Sequence, residues 1–177
     1  MYKFIPLALP AVLVAALVSC TSPPLLESST PTPSLSVSPN PISVGQELRF
    51  SLGIQDTSDT WNVALFVENP AGKIDQFLPN RLEGGTPAVM AGAPVLFPPA
   101  EAAFRLVASA PTGPHTALLY ITPKTFNMEG ISAYANAQAP FATVSGSGIG
   151  TLEGPLLTKI RSLNPGQATW LRFQINP

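Results

Sequence analysis

The chain has 177 residues, nine Lys and Arg against ten Asp and Glu, and 45% hydrophobic residues. Beyond Lys3 the basic residues are scattered at positions 49, 73, 81, 105, 124, 159, 161 and 172, so no basic patch or stripe marks a nucleic-acid surface. One cysteine and one histidine exclude a disulfide within the chain and a His/Cys zinc site.

The first segment reads as an export address. Lys3 supplies a positive start, and residues 4–18 then run without charge through Phe4, Ile5, Leu7, Leu9, Val12, Leu13, Val14 and Leu17. Fifteen helical residues reach only about 22 Å, short of a hydrocarbon core of about 30 Å, which argues against a transmembrane anchor. Pro6 and Pro10 also interrupt such a helix. The run closes on Leu17-Val18-Ser19-Cys20, which resembles the lipobox of bacterial lipoproteins. The resemblance implies that residues 1–19 are a signal peptide, cut before Cys20, and that the Cys20 thiol carries a diacylglycerol. It also implies acylation of the new amine by a fatty acid such as palmitate. One acyl chain holds a membrane only marginally, whereas two or three anchor stably. Thr21, rather than aspartate, follows Cys20. The resemblance then implies the outer membrane if the cell has one, and otherwise the outer face of the cytoplasmic membrane.

Residues 21–43 hold six prolines and ten Ser or Thr, with Glu27 the only charge. The stretch 20–34 reads as a tether that extends about 3.1 Å per residue in polyproline form. A proline-rich ligand motif is the weaker reading, because no repeated P-x-x-P with basic flanks is present.

From residue 35 to 177 the chain reads as one β-rich domain. Leu35 and Val37 begin a short strand, and Leu48, Phe50, Leu52 and Ile54 alternate with polar residues over 47–54. Trp61, Val63, Leu65 and Val67 form a third inward face, and Phe66 on the opposite side predicts a strand covered on both faces. The turn at residues 69–72 and the run 73–78 complete a hairpin. Short strands are expected at 95–97, 104–108 and 115–122, and a helical turn within 126–141. A helix entered at Pro155 would bury Leu156, Leu157, Ile160 and Leu163, and a last strand would cover 169–175 with Trp170 on its outer face. The glycine-rich stretch 145–150 lacks the strand–loop–helix setting of a phosphate loop and reads as a connector. The expected fold is mainly β: an antiparallel β-sandwich or partly open barrel of about seven to nine strands with one short C-terminal helix.

The runs at residues 61–66, 71–74 and 77–81 resemble the bacterial domain of unknown function 4384. So do the proline-bounded strand 95–98 and the segments Phe104-Arg105-Leu106 and Ala110-Pro111-Thr112-Gly113. The resemblance covers about residues 44–125 and implies an envelope-associated β module, with no catalytic residues to carry over. Leu78 stands where the family often has phenylalanine, and Asn69-Pro70 replaces a more acidic turn.

Candidate chemistry is sparse. His115, following Pro114, is expected at an exposed or edge position, and no G-x-S-x-G elbow accompanies it as the base of a triad. Asp56 and Asp59 share a turn, which suits turn geometry better than a Ca²⁺ site. Asp75, Glu83 and Glu101 show no pattern of paired catalytic carboxylates. Trp61 should pack inward, whereas Trp170 is open to either reading. Asn80, Arg81 and Trp170 are the candidate ligand surface. The leading expectation is a lipid-anchored, non-enzymatic envelope protein without cofactor or metal, which contacts an envelope protein or cell-wall partner. The alternative is an envelope hydrolase using scattered carboxylates or His115.

Overall fold

The computed structural model describes residues 30–56, 58–82, 84–146 and 148–177. Leu17, Val18, Ser19, Cys20 and Glu83 lie outside them.

The alternating segments form two sheets with a shared interior. The smaller sheet joins β1 (Thr32–Ser38), β3 (Glu47–Gln55) and β7 (Val95–Phe97), with β8 (Leu106–Val107) beside the start of β3. In the larger sheet β4 (Trp61–Glu68) lies between β5 (Ile74–Leu78) and β9 (Gly113–Thr122). The sheet continues beyond β9 through β12 (Gln167–Asn176) to β2 (Ile42–Ser43), and beyond β5 through β11 (Ala142–Val144) to β10 (Ser132–Ala133). The two-residue β6 (Ala88–Val89) pairs with the start of β4. Every pair is antiparallel except β2 with β12. Twelve strands are therefore present among the described residues, more than expected. The surplus is two-residue pairings too short to carry a period. Neither sheet closes, so the described fold is mainly β in two sheets and not a closed barrel, as expected.

Period two sorts the side chains. From β3, Leu48, Phe50, Leu52 and Ile54 meet Val63, Leu65 and Val67 of β4 and Ala117, Leu119 and Ile121 of β9 in the space between the sheets. The intervening residues of the same two strands, Ala64, Phe66, Leu118 and Tyr120, point the other way. A wide helical turn, Leu152–Leu156, broken at Gly154 (φ −119°, ψ −106°), and α1 (Leu157–Leu163) cover them. Full burial of each Leu, Ile or Phe in these layers contributes about 1.5–3 kcal/mol. As expected, β4 is covered on both faces; the helix lies on the outer face of the larger sheet.

Three expectations are corrected. Residues 126–141 hold no helix; they form turns and β10. Asn side chains stabilise those turns: Asn127 Oδ1 accepts from Glu129 N, and Asn136 Oδ1 accepts from Gln138 N and Ala139 N. Leu163 is exposed, because the following Asn164 takes the buried place at the helix end. Finally, β1 begins at Thr32, so three residues read as tether belong to a strand.

Thr32 pairs with Gln55, next to the β3–β4 connection. The chain preceding β1 therefore meets the sandwich at that end. The opposite end holds the start of β3, the β4–β5 turn and the start of β9.

Candidate functional site

The β4–β5 turn builds the first wall. Asn69 Oδ1 accepts from Ala71 N and Lys73 N at 3.0 Å each, and Gly72 N donates to the Asn69 carbonyl at 2.8 Å. Gly72 has φ +77°, and a Cβ there would lie 2.8 Å from the Gly148 carbonyl carbon and the Ile149 nitrogen. Glycine is thus needed for conformation and for close approach. Gly148 N donates to the Gly72 carbonyl at 3.1 Å, fastening the 148–150 loop against the hairpin.

Two cavities open beside this turn. The first, about 150 Å³, lies between the sheets and is walled by Leu48, Phe50, Val67, Leu106 and Phe173, with His115 among its lining residues. The second, about 300 Å³, lies on the outer side of the larger sheet between the turn and the 148–150 loop. Glu68, Pro70, Pro114, Ile149, Glu153 and Arg172 line it. Both sit at the end of the sandwich opposite Thr32.

His115 is buried, not exposed or at an edge, because β9 lies between β4 and β12. Its ring stacks on that of Phe173, its cross-strand partner, with centroids 5.3 Å apart and planes inclined by 26°. Nδ1 lies 3.1 Å from the Gly113 carbonyl, so the neutral ring donates from Nδ1–H. Burial pushes the imidazole below its ordinary value, and the Gly113 carbonyl partly opposes that shift.

Glu68 ends β4 on the face shared by Ala64 and Phe66. It is only 5% exposed, and its Oε1 is buried without a hydrogen-bond partner. Such an unsatisfied buried group costs about 1–3 kcal/mol. Arg172 lies on the neighbouring wall, but Glu153 engages its Nη2 with both carboxylate oxygens, at 3.0 and 3.2 Å.

The expected ligand surface does not assemble. Asn80 is buried and structural: its Nδ2 donates to the Phe77 carbonyl at 2.7 Å, and its Oδ1 accepts from Leu82 N at 2.7 Å. Arg81 donates to the carbonyls of Asn136 and Ala137 at 2.9 and 3.1 Å and lies 3.7 Å over the Tyr134 ring. Trp170 stands apart on β12, 39% exposed. Trp61 packs partly buried against the inter-sheet core, as expected. Asp56 Oδ2 accepts from the Thr32 hydroxyl at 3.0 Å, tying the start of β1 to the end of β3. Asp75 pairs with Lys73 at 2.9 Å. Among the described residues no group of three or more His, Cys, Asp and Glu gathers as a metal site. No helix among them is long and apolar enough to cross a membrane.

Glu68 was missed by sequence reasoning. The available signal was a carboxylate closing a strand whose two faces both read as buried. Glu153, Ile149 and Arg172 carried no local signal, since only the fold brings them beside Glu68.

A domain of unknown function, DUF4384, is found at residues 42–125. No curated protein and no solved structure matches the chain. The DUF4384 segment runs from β2 through β9 and includes Glu68, Pro70 and His115. Ile149, Glu153 and Arg172 come from the chain that follows it, so the larger cavity is walled jointly by DUF4384 and its C-terminal extension.

Proposed function

We propose that the chain is a lipid-anchored cell-envelope protein, held by lipidated Cys20, whose β-sandwich is a non-catalytic module that binds an envelope protein or cell-wall partner. The observation that carries this reading is Leu17-Val18-Ser19-Cys20 at the close of an uncharged apolar run. Two features support it. The strand that continues the proline-rich stretch enters one end of the sandwich, and the cavities open at the other, the arrangement a tethered binding module requires. His115, one of the groups an envelope hydrolase could use beside its scattered carboxylates, is stacked on Phe173 and bonded to the Gly113 carbonyl, which suits packing better than proton transfer.

Detergent-phase partitioning with crosslinking on intact cells tests both halves. The wild type should enter the detergent phase and yield one crosslinked envelope partner, unchanged by His115→Ala. A Cys20→Ala chain that partitions identically contradicts the anchor. An envelope hydrolytic activity lost in His115→Ala contradicts the non-catalytic module.

A further inference from the structure

The geometry points to the cavity beside Glu68 as a binding site for an aliphatic primary amine, with Glu68 Oε1 accepting from the ammonium group. This goes beyond the proposed function, because it names a ligand chemistry whether or not the chain is lipidated.

Four observations converge. Glu68 is 95% buried, yet its Oε1 has no hydrogen-bond partner. Buried polar atoms ordinarily have one, and the exception among the described residues belongs to a side chain whose residue lines a cavity, so it asks for a donor that enters from outside. The chain's own cation there does not serve: among the described lining residues Arg172 is the lysine or arginine present, and Glu153 holds it through both oxygens. His115 does not serve either, since its Nδ1–H is directed to the Gly113 carbonyl and its ring is stacked on Phe173.

The remaining walls favour an apolar stem. Pro70 and Pro114 line the cavity, and Ile149, also on its wall, is 86% exposed, a large apolar side chain left facing open space. The volume, about 300 Å³, matches the lower end of small-molecule pockets. A donor head at Glu68 and a methylene stem along Ile149 and the prolines describe an alkyl ammonium group. A free amine and a lysine side chain share that chemistry.

The test is calorimetric titration of the full chain, purified in detergent, with n-pentylamine, Nα-acetyl-lysine N-methylamide and, as the neutral isostere, 1-pentanol. Saturable binding of n-pentylamine is expected, with 1-pentanol weaker by about tenfold or more. Glu68→Gln should weaken the amine by a similar factor, and Glu129→Gln, which removes one exposed charge elsewhere, should not. Equal or tighter binding of the lysine derivative assigns the source to a peptide side chain, and its failure alongside n-pentylamine binding assigns it to a free amine. Amide NMR shifts in the wild type should move at Thr116, Ile149 and Gly150, a readout independent of how the variant folds. No saturable binding of either amine, unchanged affinity in folded Glu68→Gln, or shifts confined to other regions would overturn the assignment.

Discussion

The Tyr120 hydroxyl donates to the Asn164 carbonyl at 2.6 Å, joining the C-terminal part of β9 to the residue that caps α1. Both residues are buried. Asn164 also accepts from Asn127 N through Oδ1 at 2.7 Å, and its Nδ2 donates to the carbonyls of Asn127 and Ile160. One asparagine thus fastens the helix, the 126–131 loop and the sheet. Tyr120→Phe should cost about 1 kcal/mol, and Asn164→Ala about 2–3 kcal/mol, because the second change strands several buried groups. Urea denaturation with the midpoint and slope both fitted measures this, and equal losses for the two variants would contradict the hub.

Stability should fall on mild acidification because of His115. Its imidazole is held below the ordinary 6.5 in the folded chain by burial. Above that value the ring is neutral in both states and stability is full. As pH drops below it, the unfolded chain takes up a proton first, so stability is lost progressively until pH passes the lowered folded value. His115→Leu should flatten this segment of the pH profile relative to wild type. Denaturant midpoints from pH 8 down to pH 5 measure it. An identical slope in the variant would contradict the assignment.

Gly72→Ala should cost about 1–3 kcal/mol, since the new Cβ meets the Gly148–Ile149 backbone and the position has φ +77°. The larger effect should be local. Hydrogen exchange at Gly148 N, which donates to the Gly72 carbonyl, should accelerate more than exchange in β9. Uniform acceleration would mean that the 148–150 loop is not held by this contact.

Arg81→Lys should loosen residues 134–140. Lysine keeps the charge but cannot reproduce a planar guanidinium that stacks on Tyr134 while its Nη1 donates to two carbonyls. Limited proteolysis should cut this segment faster, with a global loss of about 0.5–1.5 kcal/mol.

The strands with long alternation, β3, β4, β9 and β12, were legible because each has a buried face that fixes its period. The hairpin between β4 and β5 was legible from Asn69-Pro70-Ala71-Gly72. The parallel pairing of Ile42 with Ile175 was not, since residues so far apart in sequence carry no local mark of each other. Residues 126–141 misled because their alanines favour helix, while the side chains of Asn127 and Asn136 bond backbone amides two or three residues on and hold turns. Asn80 and Arg81 looked available to a ligand because polar residues after a strand usually face water. Asn80 is instead buried with its amide bonded to the backbone, and Arg81 uses Nη1 on two backbone carbonyls while remaining exposed. Glu68 drew no reading at all: a carboxylate at a strand end looks solvated until the fold brings the 149–153 stretch, Arg172 and the hairpin beside it.

The anchor is the most direct test of the account. Cells expressing the chain are grown with radiolabelled palmitate, and the purified protein is read for label alongside Cys20→Ala. The account predicts label in the wild type and none in the variant, together with a mature N-terminus at Cys20. Equal label in both, or an unlabelled wild type that retains residues 1–19, would contradict it.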